Sequence, residues 1–186
     1  MIMTPRLRKF VLTAHVTSSV GWLGAVAVFL ALAVIGLTSQ DAETVRAVYL
    51  VMEPAAWFVL APLAFASLLT GLVQSLGTTW GLFRHYWVLF KFLINVSAIV
   101  VLLMYTQTLS YLADVAAETT LSSDDLGVLR TPSVVLHSAL ALLLLLVATV
   151  LAVYKPRGMT PYGLRKQHER RTVSQPLDAA TPARGS

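Results

Sequence analysis

Four long runs of apolar residues, separated by shorter polar segments, dominate the pattern of the chain. They cover residues 10–37, 55–76, 86–112 and 132–153, and each contains between 22 and 28 residues. Because about 20 apolar residues in a helix cross the hydrocarbon core of a bilayer, each run is long enough to span a membrane. The pattern therefore predicts an all-α fold in which four transmembrane helices form a bundle.

The polar segments divide the chain into three predicted parts. Residues 1–9 form a basic N-terminus, residues 10–154 the four-helix transmembrane domain, and residues 155–186 a basic, proline-containing tail that we expect to be partly disordered. Within the domain we expect loops over 38–54, 77–85 and 113–131. The apolar stretch 45–52 is typical of a helical extension or an interfacial turn, and Pro54 suits the first turn of the second helix.

The second run carries a stripe of small residues at spacings of three and four. Small side chains let two helices approach closely in lipid, so we expect this stripe to face a neighbouring helix. Its members are Ala64, Ser67, Gly71 and Ser75.

The composition agrees with a membrane protein. Hydrophobic residues make up 56% of the chain and charged residues 12%, whereas a soluble domain has about 25% charged residues. The mean hydropathy is +0.72. The first run is longer than the apolar core of a signal peptide and three more runs follow it, so we expect a retained helix. The lack of cysteine excludes disulfides, thiolate metal sites and c-type haem attachment.

The basic residues are distributed unevenly between the two sides of the predicted spans. Only two basic residues, Arg46 and Arg130, lie on one side of the spans. Since cytoplasmic segments carry an excess of Lys and Arg, both termini are predicted to be cytoplasmic, in a multi-pass protein of the plasma membrane. We expect the other side to contact anionic lipid, and nothing in the pattern indicates nucleic-acid binding. The twelve basic residues of this predicted cytoplasmic side are Arg6, Arg8, Lys9, Arg84, Lys91, Lys155, Arg157, Arg165, Lys166, Arg170, Arg171 and Arg184.

Two candidate functional residues enter the spans from this basic side. His15 and Lys91 each lie about five residues into a run, so they are expected at nearly the same depth. An imidazole can ligate haem iron or another metal, and a buried lysine amine can serve as a base or a ligand. The alternatives are a His15 that bonds to a neighbouring helix and a Lys91 whose ammonium extends to the headgroups.

A third candidate, His137, enters the fourth span from the opposite side. About 15–20 Å of bilayer would separate it from His15, so the two cannot ligate one haem. We expect either a packed histidine or a second site. Glu53, just before Pro54, is interpreted as a cap of the second helix or as a cation-binding carboxylate. The candidate neighbours of His137 are Met52, Glu53, Met104 and Tyr105.

Three stretches resemble known families of small four-helix integral membrane proteins. One is HVTSSVGWLG, with His15, Trp22 and Gly24, which resembles the first helix of the copper-resistance-D-like and DUF2269-like families. Another is TGLVQSLGTTWGLFRHYWVLFK, with Trp87 and Lys91, which resembles their second-to-third helix junction. The third is VLHSALALLLLLVATVLAVYKPRG, which is similar to a segment of uncharacterised proteins of this kind. The resemblance covers about residues 10–158.

A more distant similarity, to the HemJ-type protoporphyrinogen oxidase, concerns haem. That enzyme has a first-helix histidine and a third-helix lysine implicated in haem binding, and His15 and Lys91 stand at matching positions. The resemblance implies a b-type haem ligated by His15. The acidic third loop and the proline-rich tail depart from that enzyme, so we carry over the haem ligand and not the oxidase activity.

These patterns lead to one principal hypothesis and two alternatives for the function. The principal hypothesis is a multi-pass membrane protein, more a redox accessory than an enzyme, that binds one haem b through His15, with Lys91 tuning or completing the site. One alternative is a cofactor-free scaffold or accessory subunit that binds a membrane protein or a second copy of itself. The other is a small metal transporter for copper, although no methionine-rich or histidine-rich cluster of soft ligands supports it.

Overall fold

The computed structural model describes residues 3–77, 81–118, 122–156 and 158–174. Arg157 and residues 175–186, which include Arg184 and belong to the tail that we expect to be partly disordered, lie outside these ranges. The helices within them are α1 (Pro5–Thr38), α2 (Ala42–Leu76), α3 (Tyr86–Ala117), α4 (Ser123–Leu129), α5 (Pro132–Tyr154) and α6 (Pro161–Ser174).

Four helical segments are long and apolar enough to cross a membrane. They are α1, α2, α3 and the segment Ser123–Tyr154, which contains α4 and α5. The described ranges contain no strand, and their one isolated β-bridge joins His85 and Met159. The predicted all-α class with four long apolar helices is confirmed, and the helices indicate a multi-pass membrane protein.

Consecutive long helices run in opposite directions around a shared core. Near the end of α1, Gly36 faces Val48 at the start of α2, and near the start of α1, His15 packs on Gly71 at the end of α2. α1 also packs on α5, and α3 packs on both α2 and α5. The buried core side chains include Trp22, Val26, Phe29, Ala33, Tyr49, Met52, Leu60, Ala64, Ile99, Leu109 and Leu145.

The bundle has two ends of opposite charge. The basic end comprises the start of α1, residues 81–85 and the described residues 155–156 and 158–166, and the acidic end comprises residues 39–43, 114–118 and 122–131. Among the described side chains, the basic end carries Arg6, Arg8, Lys9, Arg84, Lys155, Arg165 and Lys166. The acidic end carries Asp41, Glu43, Asp114, Glu118, Asp124 and Asp125.

The second helix is longer than the sequence pattern predicts, because it begins at Ala42 and not at residue 55. The Asp41 carboxylate caps it by accepting hydrogen bonds from the hydroxyl and backbone amide of Thr44 and from the amide of Glu43. These bonds hold the pKa of Asp41 below its ordinary value. Of the two alternatives for the stretch 45–52, the helical extension is the one observed. Residues at helical spacing along it are buried, namely Val45, Val48, Tyr49 and Met52.

Pro54 lies inside α2 and does not open it. A proline has no N–H to give to the preceding turn, and the segment Ala56–Leu60 that follows is π-helical, which changes the local hydrogen-bond pattern without ending the helix. The predicted loop 113–131 is also partly helical. α3 continues to Ala117, and α4 starts with a reciprocal cap between Ser122 and Asp125.

One interhelical hydrogen bond at the acidic end yields a stability prediction. The buried Tyr49 hydroxyl donates to the backbone carbonyl of Leu129. We expect Tyr49→Phe to lower the free energy of unfolding by about 1 kcal/mol, because the carbonyl loses its donor. Denaturant unfolding in detergent measures this. Tyr111→Phe is the matched control, since Tyr111 is 57% exposed. Equal losses in the two variants would contradict the prediction.

Candidate functional site

The imidazole of His15 joins α1 to α2. Its Nδ1 lies 3.1 Å from the backbone carbonyl oxygen of Ser67 and 3.2 Å from the Thr70 hydroxyl oxygen. A carbonyl oxygen can only accept, so Nδ1 carries the hydrogen and donates it to Ser67. In the neutral ring this leaves the lone pair on Nε2, which is the nitrogen available to a ligand.

Gly71 provides the space in which the His15 ring lies. A Cβ atom at residue 71 would stand 2.9 Å from His15 Cε1, which is closer than such atoms pack. One turn along each helix, the Ser19 and Ser67 hydroxyls are 2.8 Å apart. Of the predicted small-residue stripe, Ala64, Ser67 and Ser75 are buried. The small residues thus allow a polar seam between α1 and α2, as helices packed in lipid require.

Lys91 lies in the second turn of α3, at the same end of the bundle as His15. It is half-buried, and its charge acts on the His15 imidazole. The charge of Lys155, at the end of α5, acts on Lys91 in turn. Within the described ranges Lys91 makes no side-chain hydrogen bond or ion pair. Both residues therefore lie towards the basic end, and their equal depth stays a prediction.

The donor set at the basic end can be compared with what a haem requires. Histidines that ligate metals commonly donate their second ring N–H to a carbonyl or carboxylate, which fixes the ring, and the bond from His15 to Ser67 is of this kind. Nε2 of His15 is then the nitrogen that would hold a haem iron, and the Lys91 amine would be a second nitrogen donor at that end. No group of three or more His, Cys, Asp or Glu that could hold a metal ion occurs in the described part of the chain.

His137 belongs to a separate group of side chains nearer the acidic end. It lies 17 residues before Tyr154, which is about 26 Å along α5 from the basic end. Its Nδ1 donates to the carbonyl of Ser133 at 2.8 Å, and its ring stacks on Tyr105 at 4.2 Å between centroids. The Tyr105 hydroxyl donates to the Ser133 hydroxyl at 3.2 Å. The structure therefore does not bring His137 to His15.

Of the candidate neighbours of His137, Tyr105 stacks on its ring. Met52 is buried in the core and Met104 is 70% exposed. Glu53 accepts a hydrogen bond from the Ser110 hydroxyl at 2.8 Å. Its interpretation as a helix cap is wrong, because α2 begins at Ala42 and Glu53 lies well inside it. The sequence pattern did not identify Ser110, since a serine in an apolar run carries no sign of its partner.

The comparisons with known proteins return no relative. No protein-family model matches the chain, and neither a curated protein nor a solved structure matches it. The resemblance to the copper-resistance-D-like and DUF2269-like families, and to the HemJ-type oxidase, stays a prediction.

The contact between His15 and Gly71 yields a second stability prediction. We expect Gly71→Ala to lower the free energy of unfolding by about 1–3 kcal/mol, because the added methyl group displaces the ring and weakens its bond to Ser67. Gly24→Ala is the matched control, since a Cβ there would meet nothing within 4 Å. We expect that control to be unchanged or slightly more stable. Thermal unfolding followed by circular dichroism measures the two stabilities. Equal loss of stability in both variants would contradict the prediction.

Proposed function

We propose that the chain is a multi-pass protein of the plasma membrane, with both termini in the cytoplasm, that binds one b-type haem at its basic end through Nε2 of His15. The observation that carries the proposal is the bond from His15 Nδ1 to the Ser67 carbonyl. It would supply the tautomer and the fixed ring that a metal-ligating histidine needs. The excess of Lys and Arg at the basic end supports the orientation.

A bound haem would supply one-electron redox chemistry, and the residues around it have separate tasks. His15 would ligate the iron, while Ser67 and Thr70 hold its ring in one orientation. Lys91, in the second turn of α3 at the same end, would either complete the ligand set or pair with a carboxylate of the haem. The apolar faces of the neighbouring spans keep water from the ring. In this role the protein is an electron-transfer accessory.

An absorption spectrum of the detergent-purified protein, oxidised and reduced, tests haem binding. We expect a Soret band that shifts on reduction, and we expect His15→Gln to lose it. Glutamine keeps an N–H donor for Ser67 but lacks the ligating imidazole, so folding is expected to persist and circular dichroism checks it. The matched control is His137→Gln, which is expected to retain the band. A colourless, folded protein from haem-replete cells would overturn haem binding.

The role of Lys91 can be separated into ligation and charge. Lys91→Met removes both the amine and the charge, and we expect it to lower haem retention and shift the Soret band. Lys91→Arg keeps the charge but removes the amine ligand. If Lys91 is a ligand, the arginine variant should resemble the methionine variant, and if Lys91 acts by charge it should resemble the unaltered protein. Spectra of both variants identical to the unaltered spectrum would show that Lys91 takes no part.

A second candidate function is a scaffold or accessory subunit without a cofactor, which binds a membrane protein or a second copy of the chain. The same contacts favour it, because the bond to Ser67 and the packing on Gly71 give His15 a structural purpose. The spectrum separates the two, since a scaffold stays colourless. The copper-transport alternative has no comparable observation in its favour.

A further inference from the structure

The chain that follows α5 is fastened to the loop before α3. Lys155 ends α5 in a left-handed backbone conformation with φ of 43°, which turns the chain. The Thr160 amide then donates to the Arg84 carbonyl at 2.9 Å, and the Tyr86 amide donates to the Gly158 carbonyl at 3.4 Å. We name residues 158–163, together with residues 83–86, the tail clamp. Its backbone bonds tie the start of α6 to the basic end of the bundle.

Two side-chain features complete the tail clamp. The Thr160 hydroxyl donates to the Phe83 carbonyl, and it also accepts a hydrogen bond from the Gly163 amide at 3.1 Å, which caps α6. A Cβ atom at Gly163 would lie 2.5 Å from the carbonyl oxygen of Arg84. Only glycine therefore lets the first turn of α6 approach the loop this closely.

Beyond the tail clamp, α6 has little support from the described part of the bundle. No other helix shares an extended interface with it there, and Tyr162 and Leu164 are about half exposed. Its 14 residues are mostly polar. An isolated helix of this length is marginal in water, so a second surface is needed to keep it folded.

Charge and position indicate which surface that is. Residues 155–171 contain six Lys and Arg and one Glu, a net charge of 6 − 1 = +5. The tail clamp holds the start of α6 beside the start of α3, at the end of a span and therefore near the headgroups. Basic segments next to a span are attracted to the anionic lipids of the cytoplasmic leaflet.

We propose that α6 is a peripheral helix that lies on the anionic phospholipid headgroups of the cytoplasmic leaflet, with Tyr162 and Leu164 at the interface. Arg165 contacts a phosphate, and Lys166, whose Nζ lies 3.0 Å from a Glu169 carboxylate oxygen, shares its charge between that partner and a phosphate. The proposal rests on the cytoplasmic orientation given under the proposed function, and it does not rest on haem. The tail clamp fixes where the helix starts, and the lipid charge keeps the rest of it folded against the leaflet.

A single spin label tests the proposal, because the chain contains no cysteine to compete for labelling. Leu164→Cys carries the label in nanodiscs of phosphatidylcholine, alone or mixed with phosphatidylglycerol. With the anionic lipid we expect an immobilised label, more accessible to oxygen and less accessible to an aqueous nickel chelate. In the neutral lipid we expect a mobile, water-exposed label. The matched control is Val128→Cys on α4, at the acidic end, where we expect no dependence on lipid charge.

Two further variants make the result specific to the tail. Arg165→Gln combined with Lys166→Gln should remove the dependence on anionic lipid and leave the bundle intact. Gly163→Val should release the label in both lipids, because its side chain collides with the Arg84 carbonyl. A label that behaves alike in both lipids, or a dependence that persists in the charge variant, would overturn the proposal. A lipid dependence in a colourless protein would overturn only the haem proposal.

Discussion

A polar group inside an apolar layer is costly unless it finds a hydrogen-bond partner within the protein, and this cost organises the bundle. Several polar side chains of the bundle reach from one helix to another for such a bond. Each such bond demands one rotation of a helix about its axis and one register along it, so the set fixes the helices more tightly than apolar packing alone. The bonds run from His15 to Ser67, Ser19 to Ser67, Ser110 to Glu53, Tyr105 to Ser133 and Tyr49 to Leu129.

The bond from His15 to Ser67 shows how the requirement for a partner depends on small residues. The imidazole can reach the Ser67 carbonyl only because residue 71, one turn further along α2, has no side chain. A backbone carbonyl inside a helix already accepts from its own helix, and its second lone pair is free for a side chain. The histidine is thereby held between two helices, and the same bond sets the tautomer that leaves Nε2 for a ligand.

The positions of the spans could be predicted from the sequence because apolar length alone decides them. The position of His15 and Lys91 at one end followed from counting residues along each run. The partner Ser67 could not be predicted, since it depends on how α1 and α2 are rotated, and Glu53 was misplaced because Pro54 suggested a helix start. The helix α6 was missed for a similar reason. Its residues are polar, and its fastening depends on backbone atoms of Arg84 and Gly158 that no side-chain pattern reveals.

Lys155 connects the two features of the basic end. It turns the chain from α5 towards the tail clamp, and its ammonium is a further positive charge at the end of the bundle where Lys91 lies. Since like charges repel, an anion near these groups lowers their electrostatic free energy, and it does so most strongly where the surroundings are apolar. A phospholipid phosphate below α6 and a haem carboxylate beside Lys91 would both supply such an anion. Both proposals therefore place an anion at the basic end, and the contacts at Ser67 and those at Arg84 support them independently.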